Sequence, residues 1–244
     1  NTISERRRQF LPWNRVLRQS CRSVAMKTTA MEIFDLGRMD YQQTFDLQER
    51  IVSKKIGKTM DRDTVLVVEH PAVFTLGKNG GRENLVVSEA FLRSKNIPIV
   101  QTGRGGNITF HGPGQLVVYP IVDLKRAKVG VADFVHRLEE IMLGTARQFN
   151  VPAERSGQNH GIWVNSSKLG SVGLSIRKHV SFHGIALNVN LDLTPFSWIN
   201  PCGMSGIAMT SIEQEQQQAG SGDTITMDRA KETMINAIRQ WETV

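Results

Sequence analysis

The sequence predicts an α+β domain in which helices pack on a mixed, largely antiparallel sheet. Extended runs cluster and follow one another locally instead of alternating strictly with helices, which disfavours a doubly wound parallel sheet. A chain of 244 residues, 40% of them hydrophobic, is long enough to bury one core without disulfide or metal staples. No internal repeat or linker divides residues 31–244, so they are expected to form one domain.

The elements follow in order. Met31 to Leu36 reads as a short strand and Tyr41 to Ile56 as a helix, with Phe45, Leu47, Ile51, Val52 and Ile56 on its apolar side. Thr64 to Val68 is a β-branched run closed by Pro71. Ala90 to Ser94 is expected to be helical and Pro98 to Thr102 extended. A glycine-rich loop from Gly103 to Gly114 comes next, then an apolar strand from Gln115 to Val122. Val131, Phe134, Val135, Leu138, Ile141, Met142 and Phe149 repeat at i, i+3, i+4, i+7, the surest helix in the chain. Extended runs at Gly161 to Val164, Lys168 to Ile176 and His179 to Val189 precede a loop carrying Pro195, Pro201 and Cys202. Glu213 to Asp223, with its Gln run and Gly-Ser-Gly, reads as a polar surface loop, and Met227 to Trp241 as a closing helix.

Charge is distributed unevenly. The net charge is +7, but the first 30 residues hold seven bases and one acid, leaving the rest of the chain almost neutral. A neutral body lacks the basic face that phosphate neutralisation requires, so nucleic-acid binding is not expected. The first 30 residues are rich in Arg, Ser and Thr and space Phe10, Trp13, Val16 and Leu17 amphipathically, which fits a mitochondrial transit peptide and a matrix location; the alternative is an unstructured basic leader that carries no address. No apolar run approaches the roughly 18 to 20 residues of a membrane span. Cys21 lies in the leader and Cys202 alone in the body, which excludes an intrachain disulfide or four-thiolate zinc site there and fits a reducing compartment.

Few motifs carry chemistry by themselves. Five glycines between Gly103 and Gly114 permit positive φ and close backbone approach to a ligand, and Arg104 and His111 add charge and a titratable ring. The spacing is neither a dinucleotide fingerprint nor a P-loop. His179 and His183 would lie roughly 13 Å apart on a strand, too far for a shared metal, so no metal or cofactor is expected. Ser171 misses the nucleophile-elbow pattern at its first position. Cys202, between Pro201 and Gly203, sits on a turn where packing gives little reason for a thiol. With a pKa near 8.5 only about 3% would be thiolate at pH 7, so a nucleophilic role needs a cationic partner supplying on the order of 2.7 kcal/mol. Lys168 is one basic candidate, though spacing alone does not select it.

Read together, Arg104-Gly-Gly-Asn-Ile-Thr-Phe-His-Gly-Pro-Gly-Gln115 with Tyr119-Pro120, Gly161-Ile-Trp-Val164, Lys168-Leu-Gly-Ser-Val-Gly173, Phe182-His-Gly-Ile-Ala-Leu-Asn-Val189 and Ile199-Asn-Pro-Cys-Gly203 resemble the octanoyltransferases of lipoate biosynthesis. His70-Pro-Ala-Val-Phe-Thr-Leu-Gly77 fits the family's upstream motif, and the run extends in order from about Asp35 to Thr210. The resemblance implies a fold like the catalytic domain of biotin and lipoate protein ligases. It also implies transfer of an octanoyl group from acyl carrier protein to a lysine of lipoyl domains, such as those of 2-oxoacid dehydrogenase E2 subunits and the glycine-cleavage H protein.

Carried over by residue, Cys202 would be the nucleophile and Lys168 would lower its pKa and shuttle protons. Arg104, Gly105, Gly106, Asn107, Ile108, Thr109, Phe110 and His111 would line the acyl site. Ser171, Val172 and Gly173, with Gly184, Ile185 and Ala186, would supply backbone donors and a narrow wall. Gly170 departs from the family, where many relatives carry alanine or another small residue, and His160 has no assigned role. Two rivals are an ATP-dependent ligase of the same fold and a non-catalytic module binding acylated proteins. Acidic partners are expected to dock through Arg82, Arg104, Arg177 or Lys178.

Overall fold

The computed structural model describes residues 31–157, 159–200, 207–221 and 224–241. In chain order the elements are β1 (Glu32–Arg38), α1 (Tyr41–Ile56), β2 (Thr64–Glu69), β3 (Val73–Leu76), α2 (Glu89–Ser94), β4 (Ile99–Gln101), β5 (Ile108–His111), β6 (Gln115–Ile121), α3 (Val131–Arg147), β7 (Glu154–Arg155), β8 (Ile162–Val164), β9 (Ser167–Arg177), β10 (Val180–Asn188), β11 (Ala208–Met209), α4 (Ile212–Gln218) and α5 (Met227–Trp241). The α+β prediction holds. The main sheet runs β1-β2-β6-β10-β9-β8-β7, with β11 added to β9, and only the β1–β2 and β9–β11 pairs are parallel. A second sheet, β4-β3-β5, lies apart from it.

Strand alternation creates two layers. Val65, Val67, Leu116, Val118, Ile185 and Leu187 pack with α3 and α5 on one face. Leu66, Val68, Val117, Tyr119, Phe182 and Ala186 pack with Leu47, Ile51 and Val52 of α1 on the other. Helix α1 begins where Asp40 caps it, the carboxylate accepting the Gln43 N–H at 3.1 Å, and carries Lys54 and Lys55 in its last turn, where their charge complements the negative end of the helix dipole. The small sheet forms a third core in which Phe74 and Phe110 meet Phe196 and Ile199.

Three local expectations need correction. The Gly103–Gly114 stretch is not one loop: Ile108–His111 forms β5, antiparallel to β3, because its alternate residues Ile108 and Phe110 bury in the third core. Glu213–Asp223 is not a surface loop throughout, since Ile212–Gln218 is helical. Ser211 caps it and Ile212 and Gln216 anchor it, the Gln216 amide donating to the Phe149 carbonyl at 2.6 Å. His179 belongs to a turn, not to an extended run. Lys178 and His179 have φ of 46° and 69°, a two-residue turn of primed type made without Gly or Asn, so its sequence signal is absent. The first 30 residues and the leader assigned to them lie outside the described residues.

Candidate active site

A pocket opens on the α1 side of the main sheet, between β6, β9 and β10, and is roofed by the Arg104–Thr109 segment. Lys168 is brought there by a register slip. Opposite β8, Trp163 pairs with Lys168 but Ile162 pairs with Gly170, so β9 carries one extra residue at Leu169. Leu169 and Gly170 consequently both turn toward the α3 core, Leu169 fully buried and Gly170 against Met142. Lys168 and Ser171 both turn to the pocket. Without the bulge, alternation would bury the lysine among aliphatic side chains.

The lysine is held from several sides. It is 6% exposed, its Nζ lies 5.1 Å from the Trp163 ring centroid, and its carbonyl accepts the Thr210 N–H at 3.0 Å. Beneath it, Gly161 adopts φ 117°, and a β-carbon there would overlap the Gly170 carbonyl and sit 3.0 Å from Lys168 Cε. Buried Glu139 of α3 fixes that turn by accepting the Gly161 N–H at 2.9 Å and lies 3.3 Å from Arg155 and 3.4 Å from His160 Nδ1. His160 thus belongs to the support of the Gly161 turn. Met209 pairs with Lys168 in the β9–β11 ladder. Cys202 lies outside the described residues.

Arg104 is a structural clamp as well as a lining residue. Its Nε and NH2 donate to Thr75 Oγ1 at 3.1 and 2.9 Å, and NH2 donates to the Thr75 carbonyl at 2.6 Å. At 7% exposure it cannot be a surface docking residue, which corrects that expectation. Arg177 pairs in bidentate fashion with Glu49, at 2.6 and 2.9 Å, and Arg82 with Glu89 at 2.6 Å.

Buried histidines connect the pocket to its frame, and their tautomers follow from fixed partners. The Met39 carbonyl only accepts, so His70 Nδ1 carries the proton at 2.7 Å and Nε2 accepts from the Tyr119 hydroxyl at 2.8 Å. Gln115 donates through Nε2 to Asn188 Oδ1 at 2.9 Å, so its Oε1 accepts the His111 Nδ1–H at 2.7 Å. Asn188 continues the chain by donating to the Thr210 carbonyl at 2.9 Å, beside Lys168. Burial keeps these rings neutral, lowering His70 to about 4 and, with help from His70 and Arg104, His111 to about 3. Burial raises Tyr41 to about 12 and Tyr119 well above 10.

Of the residues singled out from sequence, Arg104, Gly105, Gly106, Asn107, Ile108, Thr109, His111, Lys168, Ser171, Val172, Gly173, Gly184, Ile185 and Ala186 line the pocket. Phe110 does not. Its ring turns to the third core, 5.1 Å from Phe74 and 5.8 Å from Phe196 between centroids, because its neighbours Thr109 and His111 take the pocket side. Gly184, Ile185 and Ala186 cannot serve together as donors either, since β10 pairs with β9 and β6 on its two flanks and the ladders consume its N–H groups. They are wall: a β-carbon at Gly184 would overlap the Val118 carbonyl. On β9 the ladder leaves an edge beyond β8. Leu174 accepts the Gly105 N–H there at 2.8 Å, and by alternation the Val172 peptide faces the same way. Tyr41, Val117, Tyr119, His183 and Met209 also line the pocket and were not singled out as site residues. Tyr119 stood in the motif run, whereas Tyr41 carries no local signal beyond its place at the start of an amphipathic helix.

Comparison with known proteins agrees with this geometry. Residues 40–239 match the family described as the lipoyl protein ligase A/B catalytic domain. An octanoyltransferase from Desulfotalea psychrophila is 46% identical over 185 residues, covering 75% of this chain and 83% of that protein. By fold, a bipartite lipoate protein ligase from Thermoplasma acidophilum aligns with a TM-score of 0.61 at 13% identity, over 86% of this chain and 84% of that one. A biotin protein ligase from Leishmania major aligns with a TM-score of 0.51 at 13% identity, over 86% and 73%. A frame shared with these ligases, joined to a sequence close to the transferases, means that the chain belongs to the lipoyl protein ligase A/B catalytic-domain family and, within it, to the octanoyltransferases, which are acyltransferases.

Proposed function

We propose that this acyltransferase moves an octanoyl group from octanoyl-acyl carrier protein to a specific lysine of lipoyl domains, by way of a thioester on Cys202. The observation that carries the proposal is Lys168, a nearly buried lysine turned into the pocket by a β-bulge and registered against Met209, seven residues after Cys202. The separation of seven residues in sequence is compatible with a thiol that meets this lysine, the contact the proposal requires.

Charge and atoms balance with this pair alone. The Cys202 thiolate, favoured by the Lys168 ammonium, attacks the donor thioester carbon; the carbon bonds to Cys202 and the carrier sulfur leaves, taking a proton from Lys168. The neutral acceptor lysine then attacks the Cys202 thioester and passes a proton to the Lys168 amine as the amide forms and the cysteine thiolate departs. Thioester exchange is nearly isoenergetic, and amide formation drives the sequence forward.

Transfer to a lipoyl domain in the absence of ATP tests this reading. Product formation by the wild type, lost in Cys202→Ser and in Lys168→Ala, is expected. A strict ATP requirement with Cys202→Ser still active would instead indicate a ligase, and binding without turnover a carrier module. The Arg-rich first 30 residues are proposed to direct the chain to the mitochondrial matrix; a reporter fused behind them that stays in the cytosol would refute this.

A further inference from the structure

Trp163 stands outside the pocket lining and outside the proposed dyad, yet the pocket lysine lies against its ring. Ile162 and Val164 of β8 turn into the α3 core, so Trp163 between them faces the other way, toward the side of the sheet that carries the pocket. The register slip of β9 sets Lys168 directly opposite it as a cross-strand partner. Lys168 Nζ lies over the indole face, 5.1 Å from the ring centroid, with Trp163 8% and Lys168 6% exposed. The indole N–H has no hydrogen-bond partner among the described residues. A buried tryptophan ordinarily finds one, and an aliphatic side chain would fill the same space without orphaning a donor. What the indole brings that an aliphatic side chain cannot is a negatively polarised ring face, turned here to an amine.

The surroundings show what such a face does. Withdrawing an ammonium from water favours the neutral amine, and an amine gives a neighbouring thiol no charge to ionise against. Glu139 of α3 lies beneath the Gly161 turn, its carboxylate already engaged by the Gly161 N–H, Arg155 and His160. Across the pocket Arg104 is a like charge. His111 and His183 are neutral, burial lowering each to about 3. Burial likewise keeps the phenols of Tyr41 and Tyr119 protonated, raising the first to about 12 and the second well above 10. The groups facing the lysine across the pocket are thus neutral or cationic. In a wall that little water reaches, a ring face favours the ammonium more strongly than it would at the surface.

We propose that Trp163 is a positioning residue for the transfer reaction: its ring face holds Lys168 as the ammonium that keeps the Cys202 thiol ionised and supplies a proton to the departing carrier thiol. This rests on the Cys202–Lys168 reading above. The test is the pH dependence of kcat/KM for octanoyl-acyl carrier protein, with a lipoyl domain as acceptor and no ATP. Activity falls at alkaline pH as Lys168 loses its proton, and a ring that favours the ammonium moves that limb upward. Trp163→Leu should bring the alkaline limb down by about one pH unit, and Trp163→Phe, which keeps a ring face, should recover about half of that shift or more. Incorporation of fluorinated tryptophan, which draws charge from the ring face at nearly constant volume, asks the same of a protein with wild-type packing. The limb should move down as fluorines are added, and should not move in Trp163→Phe carrying the same label on the remaining tryptophans. A loss of activity equal at every pH, with the limb unmoved by Trp163→Leu and by the fluorinated ring, overturns the proposal while leaving the transferase reading intact. A wild type that forms no product without ATP removes that reading and the proposal with it.

Discussion

Acidification from pH 7 to 5.5 should destabilise the fold by about 4 kcal/mol, and the amount follows from three buried rings. His70, His111 and His183 have pKa values lowered to about 4, 3 and 3 in the folded chain, against an ordinary 6.5. As pH falls through 6.5 the unfolded chain binds a proton at each, while the folded chain binds none until pH 4 or below. The unfolded state therefore holds more protons across this window, and stability falls with pH. At pH 5.5 roughly nine-tenths of unfolded imidazoles are charged, a gain of about 1.4 kcal/mol each; subtracting about 0.2 already present at pH 7 leaves about 1.2 each. Against a typical domain stability of about 5–15 kcal/mol this is a large loss. Urea titrations at the two pH values, with the m-value compared, measure it directly. His70→Asn should lower stability at pH 7 yet remove about a third of the pH dependence. A stability constant to within about 1 kcal/mol between pH 7 and 5.5 would refute the assignment of these rings as neutral and buried.

Other consequences concern the pocket walls. Gly184→Ala places a β-carbon against the Val118 carbonyl in the sheet interior, and calorimetry should show a loss of at least about 2 kcal/mol; a melting point within a degree of wild type contradicts the close approach. Arg104→Lys keeps the charge but cannot reproduce the fork onto Thr75, so it should lower stability by about 2–3 kcal/mol, and an unchanged denaturation midpoint would show that the clamp is dispensable. Glu139→Gln retains an acceptor for the Gly161 N–H and should keep most of the turnover, whereas Glu139→Ala frees the turn under Lys168 and should lower kcat about tenfold and shift its pH profile; equal effects of the two would contradict the positioning role.

Much of the frame was legible because it rests on periodicity. The apolar side of Tyr41 to Ile56 and the i, i+3, i+4, i+7 repeat that starts at Val131 both fall on helices of the structure, and the extended runs from Gly161, Lys168 and His179 fall on β8, β9 and β10. What escaped depends on tertiary partners. Strand β5 hid within a glycine-rich segment because its hydrophobic face is only two residues, Ile108 and Phe110, packed on a separate small sheet. Helix α4 hid in a polar run because a cap at Ser211 and two buried anchors suffice for two turns. The pocket's composition was visible largely through family resemblance, but two features that aim its side chains were not. The bulge at Leu169 is a register event between strands, and the left-handed φ at His183 contradicts the residue's own preference, so neither leaves a mark in local sequence.

Everything in the proposed chemistry passes through one covalent species. Intact-mass and peptide analysis of the protein after incubation with octanoyl-acyl carrier protein, without ATP or acceptor, should show one octanoyl group on Cys202, released by hydroxylamine and absent from Cys202→Ser. Rapid product formation from an enzyme that never carries that group would contradict the account.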